Sequence, residues 1–217
     1  MNTGEPLTKI GQKEDGSNHR LKMGNLIVLT GPSGVGKGTL VELVMAQVTG
    51  LVRSVSVTTR APRPGEVEGE SYFYRDLDTF QKMIQHDDFM EWAEFAGNYY
   101  GTPKSWVNEQ LRAGLDVLLE LEVQGARQIH AQYPKAVLIF ISPPNFRELE
   151  GRLRARATET AEIILVRLQK AKQELQEKNV FQYEVVNDKL EDAAINLAHI
   201  VYAERLRSSN FEGNLLT

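Results

Sequence analysis

Nine consecutive residues, Gly31-Pro32-Ser33-Gly34-Val35-Gly36-Lys37-Gly38-Thr39, have the types and spacing of a loop that wraps a phosphate. Glycines let successive backbone N–H groups turn inward around a β-phosphate, and a helix starting at the end of the loop points its positive end at the same anion. Lys37 then reaches the β- and γ-oxygens. The residue directly after the lysine, where a hydroxyl would normally ligate Mg²⁺, is Gly38, and the hydroxyl is displaced to Thr39. The ligands of the ion are therefore open: Thr39 and Glu120 are candidates, directly or through water, beside the phosphate oxygens that satisfy an octahedral cation. A dinucleotide fingerprint is excluded, because Gly34-x-Gly36 is followed by Thr39 where a third glycine belongs. The plain alternative is a glycine-rich turn, which lacks the strand before and the helix after that a phosphate loop requires.

A second group suits an anion as well. Ser56-Val57-Thr58-Thr59-Arg60-Ala61-Pro62-Arg63-Pro64-Gly65-Glu66 sets two arginines three residues apart on a loop bracketed by prolines. Guanidinium forks bind phosphate oxygens in bidentate fashion, and the prolines reduce the entropy lost when the loop orders. Two loop arginines taken alone read equally as solvated surface. Further along, Arg152 and Arg156 are four apart and share a helix face, whereas Arg154 falls on another face as a surface residue.

Composition limits the chemistry these groups can perform. A net charge of −4 argues against an electrostatic grip on nucleic acid, and the absence of cysteine removes disulfides, thiolate metal sites and a thiol nucleophile together. The longest apolar runs, Leu26–Leu29 and Val137–Ile141, are strand-sized, so no membrane span is expected and the default setting is cytoplasmic.

The elements that must position these residues alternate between short β-branched runs and helical periodicities, which predicts an α/β fold: a mainly parallel sheet flanked by helices. Residues 1–22 lack periodicity and read as a disordered extension, followed by a main domain over 23–207 and a flexible tail over 208–217. Strands are predicted at Asn25–Thr30, Val52–Val57, Asp116–Leu121, Ala136–Ile141 and Tyr183–Asn187. Helices are predicted near Lys37–Val48, Gln124–Ala131, Asn145–Arg154, Ala161–Glu177 and Leu190–Leu206. Between Ala61 and Gly101 the pattern changes to a Pro/Gly-rich loop, short strands near Tyr72–Tyr74 and Phe89–Phe95, and a helix near Leu77–Gln85. That change predicts an inserted small mixed β/α lobe over about 58–102, with the core formed by 23–57 and 103–207.

Glu91-Trp92-Ala93-Glu94-Phe95-Ala96-Gly97-Asn98-Tyr99-Tyr100-Gly101-Thr102, together with the Ser56–Glu66 loop and Gly69 and Tyr72-Phe73, resembles the GMP-binding signatures of the guanylate kinase family. The resemblance runs from about Gly24 to about Arg207. It implies an enzyme that moves the terminal phosphoryl group of ATP onto GMP, with Mg²⁺ accompanying the donor. It also implies that Ser56, Arg60, Arg63, Tyr72 and Tyr100 hold the GMP phosphate, with Glu66 in the same loop, while Glu91 and Thr102 read the guanine ring. Val117-Leu118-Leu119-Glu120-Leu121-Glu122 followed by Gln124-Gly125 is similar to that family's acidic strand end, where Asp is usual in at least one of the two places. The likeness puts Glu122 on the acceptor guanosine and Glu120 on the magnesium side. Arg152, Arg156 and Arg167 surround Thr158-Glu159-Thr160 in a segment resembling the family's mobile lid, about 152–167, with Ala157 in place of the usual glycine. Asn187 resembles a residue near the donor adenine, and it reads equally as a cap for the last helix.

The chemistry of guanine agrees with this assignment. Its N1–H and N2 amino group form a donor pair that one ionised carboxylate can accept together, whereas the unprotonated N1 of adenine would leave that carboxylate unpaired. Phosphoryl transfer spreads charge over the equatorial oxygens, so convergent cations are needed: Lys37, Arg60, Arg152, Arg156 and Arg167. No general base is expected, because the attacking oxygen belongs to an already ionised phosphate. Two other readings stay open: a P-loop kinase for another small acceptor, and a guanylate-kinase-like interaction module without turnover.

Overall fold

In the computed structural model, which describes residues 23–95, 97–155 and 160–207, apolar runs and amphipathic segments alternate along the chain. The order is β1 (Leu26–Thr30), α1 (Lys37–Gln47), β2 (Leu51–Arg53), β3 (Val57–Thr58), β4 (Phe73–Tyr74), α2 (Leu77–Gln85), β5 (Phe89–Phe95) and β6 (Asn98–Pro103). It continues with α3 (Lys104–Arg112), β7 (Asp116–Glu120), α4 (Val123–Gln132), β8 (Val137–Ser142), α5 (Phe146–Ala155), α6 (Ala161–Gln176), β9 (Tyr183–Val186) and α7 (Leu190–Arg205).

Two sheets result. Five strands in the order β2-β7-β1-β8-β9 pair in parallel throughout. A parallel sheet must be covered on both faces, and alternate residues of each strand supply the two faces. Ile27, Leu29, Leu118 and Ile139 pack with Val41 of α1, Leu149 of α5, Leu168 of α6 and Leu197 of α7. Val28, Val117, Leu119 and Leu138 face the other way, onto Val107 and Leu111 of α3 and Ile129 of α4. Every residue of β1 and β8 is buried, and truncating such a core side chain to alanine costs about 2–5 kcal/mol. α1 after β1 and α4 after the adjacent strand β7 cover opposite faces of the sheet, so the carboxyl ends of these two strands open onto a crevice where α/β proteins place ligands.

The second sheet, β4-β3-β6-β5, is mixed: β3 and β4 are parallel, and the other pairs are antiparallel. Its core is small, with Val57, Phe80 and Phe89 buried and the two phenylalanine rings stacked at 4.5 Å. α2 covers it, entered through Asp76, whose carboxylate accepts the Thr79 N–H at 2.7 Å as an N-cap. Among the described residues, no helix is long and apolar enough to cross a membrane.

The single strand predicted over Val52–Val57 is corrected to two. β2 ends at Arg53, Ser54 N–H makes one more bond to Leu118 O at 2.9 Å, and the chain then leaves the parallel sheet. Val57 pairs instead with Phe73 and Gly101, because its side chain is one of the few that fill the smaller core. β6 and α3 have no counterpart in the periodicity reading. Gly101 and Pro103 weaken the strand signal of β6, yet the Phe89 ring occupies the space that a Gly101 side chain would take, 2.7 Å from an added Cβ.

Candidate active site

The loop between β1 and α1 depends on residues that approach it from far along the chain. Gly34 and Gly36 have φ of 87° and 93°, a region that only glycine enters readily. Added side chains would also collide: a Cβ on Gly34 would lie 2.6 Å from Leu153 Cδ2, and one on Gly36 2.8 Å from Asn187 Nδ2. Asn187 is buried and donates from Nδ2 to Val35 O at 2.8 Å, so its amide braces the loop and does not cap α7, whose N-cap is Lys189. Arg152 in turn donates from Nη1 to Asn187 O at 2.9 Å and from Nη2 to Asp188 O at 3.4 Å.

Lys37 folds back over the loop, donating from Nζ to Gly31 O at 2.6 Å and to Pro32 O at 3.4 Å. Burial pushes its pKa down, opposed by the carboxylates of Glu120, Glu174 and Glu122. Gly38 and Thr39 are exposed on the first turn of α1, and nothing lies within 4 Å of a Cβ built on Gly38. Glu120 is half-buried and accepts Arg53 Nη2 at 3.0 Å. Among the described residues, no three His, Cys, Asp or Glu side chains are grouped to hold a metal ion. That donor set suits a hard cation held mainly by phosphate oxygens and water.

On the facing side, one carboxylate organises the arginine loop. Glu66 accepts Arg60 Nη2 through both oxygens, at 2.7 and 3.0 Å, and its Oε2 also accepts the Arg63 N–H at 2.7 Å and the Tyr74 hydroxyl at 2.8 Å. Both side chains of the pair are largely shielded, 14% exposed for Arg60 and 21% for Glu66. The Arg60 hydrogen bonds and the Arg63 N–H hold the Glu66 carboxyl down at about 2, and Glu66 in return raises the Arg60 pKa. Arg60 lies over the Tyr72 ring at 5.3 Å, and Tyr72 meets Tyr100 edge-on at 6.0 Å. Arg63 itself is exposed.

Deeper in the same sheet, Glu91 and Thr102 sit directly opposite on β5 and β6, and Thr102 Oγ1 donates to Glu91 Oε1 at 2.7 Å. Glu91 is 8% exposed, and burial pushes its carboxyl up, with the Thr102 hydrogen bonds acting against the rise. Its other oxygen faces Gly125 of α4, 3.1 Å from where a Cβ would stand, so the missing side chain leaves room for the carboxylate.

Some of these groups line a cleft of about 660 Å³, whereas Glu91, Thr102, Arg63, Arg152 and Asn187 do not line it. Ser33 and Lys37 line it from the glycine-rich loop, Ser56, Glu66 and Tyr72 from the second sheet and its loops, and Glu120 and Glu122 from the end of β7. Arg60 and Tyr100 stand one contact behind, on Glu66 and Tyr72. Glu122 is exposed and accepts Lys170 Nζ of α6 at 2.7 Å. Arg167 is half-buried on the same helix, and Arg156 lies outside the described residues. Three contributors escaped the sequence reading: Arg53, Tyr74 and Glu174. Tyr74 is two residues from Tyr72 and shares its strand face, a spacing that could have revealed it.

A family model described as Guanylate kinase matches residues 23–204. The chain is 52% identical over 182 residues to a guanylate kinase of Trichodesmium erythraeum (strain IMS101), covering 84% of this chain and 98% of that one. It is 48% identical over 184 residues to a guanylate kinase of Lactococcus lactis subsp. lactis (strain IL1403), covering 85% and 90%. The crystal structure of guanylate kinase from Anaplasma phagocytophilum superposes with a TM-score of 0.68 at 32% identity, over 87% of this chain and 90% of that chain.

Proposed function

The chain belongs to the guanylate kinase family, and from that premise we propose how its own residues transfer a phosphoryl group from ATP to GMP. The observation that carries the reading is the shared cleft, with Ser33 and Lys37 on one wall and Ser56, Glu66 and Tyr72 on the other. Residues Gly31 to Thr39 cradle the donor phosphates through backbone N–H groups, with Lys37 on the β- and γ-oxygens. Asn187 serves the donor side by fixing Val35, beside any contact with the adenine.

The acceptor lobe, about 58–102, grips the GMP phosphate with Ser56, Arg60, Arg63, Tyr72 and Tyr100. Glu66 aligns Arg60, so its place in the GMP site is that of an organiser. Glu91 and Thr102 accept and position the guanine edge, and Glu122 approaches the guanosine once it exchanges Lys170. A bound Mg²⁺ would neutralise charge between the donor phosphates, and Thr39 and Glu120, directly or through water, are the residues available to it. Arg152, Arg156 and Arg167 of a lid over about 152–167 converge on the transferring group. Arg152 does so by exchanging the two carbonyls it now holds, and closure excludes water that would otherwise hydrolyse ATP. Two diffusible nucleotides as substrates fit a cytoplasmic setting.

A coupled ADP-release assay with GMP, AMP, CMP and UMP as acceptors tests the reading. Turnover with GMP should exceed the others by about 10² or more, since a buried carboxylate rejects bases that leave it unpaired. Preference for AMP would overturn the role of Glu91.

A further inference from the structure

Arg167, Lys170 and Glu174 recur on α6 at intervals of three and four, so they share one face of the helix. Glu174 lines the cleft together with Ser33 and Lys37, whereas Arg167 and Lys170 do not line it. The Glu174 side chain is 11% exposed, and its Oε2 is fully buried without a hydrogen-bond partner among the described residues. Lys170 stands 3.9 Å away but is drawn off to Glu122 at 2.7 Å, so it serves Glu174 only in part. Of the other groups around it, the Lys37 ammonium, beyond ion-pair distance, and the Ser33 backbone N–H favour its charged form, and Glu122 opposes it. A shielded carboxylate with an orphan oxygen weakens a fold, and such a group at the wall of a cleft is where functional placement is expected.

We propose that Glu174 is a positioning residue for the donor site, holding the Ser33 turn and the Lys37 ammonium in the orientation that receives the triphosphate. Lys37 ends a flexible four-carbon stem, and the Gly31 and Pro32 carbonyls alone would hold it folded onto its own loop. A carboxylate fixed on a neighbouring helix gives the ammonium a second, longer-range attraction from the cleft side. The same helix carries Arg167, so movement of α6 changes the donor loop and the lid cation together.

This inference rests on Lys37 as the donor-phosphate cation, and the experiment separates the two. Glu174→Gln, which keeps shape and removes charge, is compared with Glu174→Ala and Lys37→Met. Rates are measured with ATP and GMP varied separately, and thermal melting is followed in parallel. Both Glu174 variants should raise KM for ATP about five-fold or more, leave KM for GMP within about two-fold, and melt at or above the parent temperature. Three results would overturn the proposal: a parental KM for ATP in Glu174→Gln, an equal rise for both nucleotides, or activity lost in step with melting temperature. A rise confined to the Mg²⁺ concentration needed for half-maximal rate would also overturn it, by assigning the carboxylate to the ion. If Lys37→Met is crippled while Glu174→Gln is parental, only this inference fails. If Lys37→Met stays within a few-fold of parent, the donor-site reading falls and takes this inference with it.

Discussion

The two walls of the cleft grip phosphate by opposite means. The donor wall is main chain: a loop set by Gly34 and Gly36, seated on the fully buried strand β1 and braced by Asn187. The acceptor wall is side chain: Arg60 and Tyr74 fixed on Glu66, with Tyr72 under Arg60, on a sheet whose small core buries Val57, Phe80 and Phe89 among the described residues, with Phe73, Met83, Ile84 and Tyr99 partly buried against them. Backbone donors need no rotamer to be fixed but demand space without Cβ atoms, whereas long side chains tolerate their surroundings but need neighbours to hold them still. The donor wall should therefore fail by steric intrusion or loss of the Lys37 charge, and the acceptor wall by loss of internal hydrogen bonds.

The largest break should come at Lys37. Lys37→Ala is expected to lower kcat by about 10³ or more, since such charges act mainly on the transition state, and single-turnover rates at saturating ATP would show it. Next, Glu66→Ala leaves every proposed phosphate ligand in place yet should reduce kcat/KM for GMP by about 10²-fold through misplacement of Arg60. KM for ATP should stay near parent, and a matching loss on the ATP side would erase the contrast between the walls.

Glu91→Gln separates function from stability. The folded-state pKa of Glu91 is raised, so its ionised form weakens the fold, and parental stability falls as pH rises through that value. The glutamine variant should melt at or above the parent temperature at pH 7, with the gap closing below about pH 4, while GMP preference over AMP collapses. Glu66 has the opposite sign. Its carboxyl is held at about 2 against an ordinary 4.5, so the Arg60 network persists well below pH 4.5 and is lost as pH falls through about 2. An NMR titration of the Glu66 carboxyl reads the midpoint directly, and Arg60→Ala should raise it. The smallest effect belongs to Gly38, which has open space where its loop neighbours have none. Gly38→Ala should stabilise the chain by about 0.5 kcal/mol through helix propensity, whereas Gly34→Ala should destabilise it; urea unfolding distinguishes them.

Much of the architecture was legible because one period dominated each segment. α2 and β5 fall at the boundaries their patterns predict, and the buried strands β1, β7 and β8 within a residue or so. Legibility failed where two sheets compete for one run of residues. Val52, Val55 and Val57 give one β-branched run that reads as a single strand, and only tertiary pairing decides that Arg53 ends the first sheet and Val57 enters the second. The glycine-rich loop was readable because its spacing is dictated by backbone geometry. Glu66 was readable as a member of its loop but not as its organiser, since sequence shows which residues are near and not which lone pairs they fill. Glu174 was invisible because one glutamate on an amphipathic helix reads as a solvated face.

The amide of Asn187 reaches Val35 across 152 residues of sequence. A chain emerging from the ribosome therefore displays its nucleotide loop early but cannot seat it until β9 has been made and docked. Fragments ending before that strand should carry the motif intact and still bind donor poorly, so ATP affinity becomes a late-appearing reporter of completed folding.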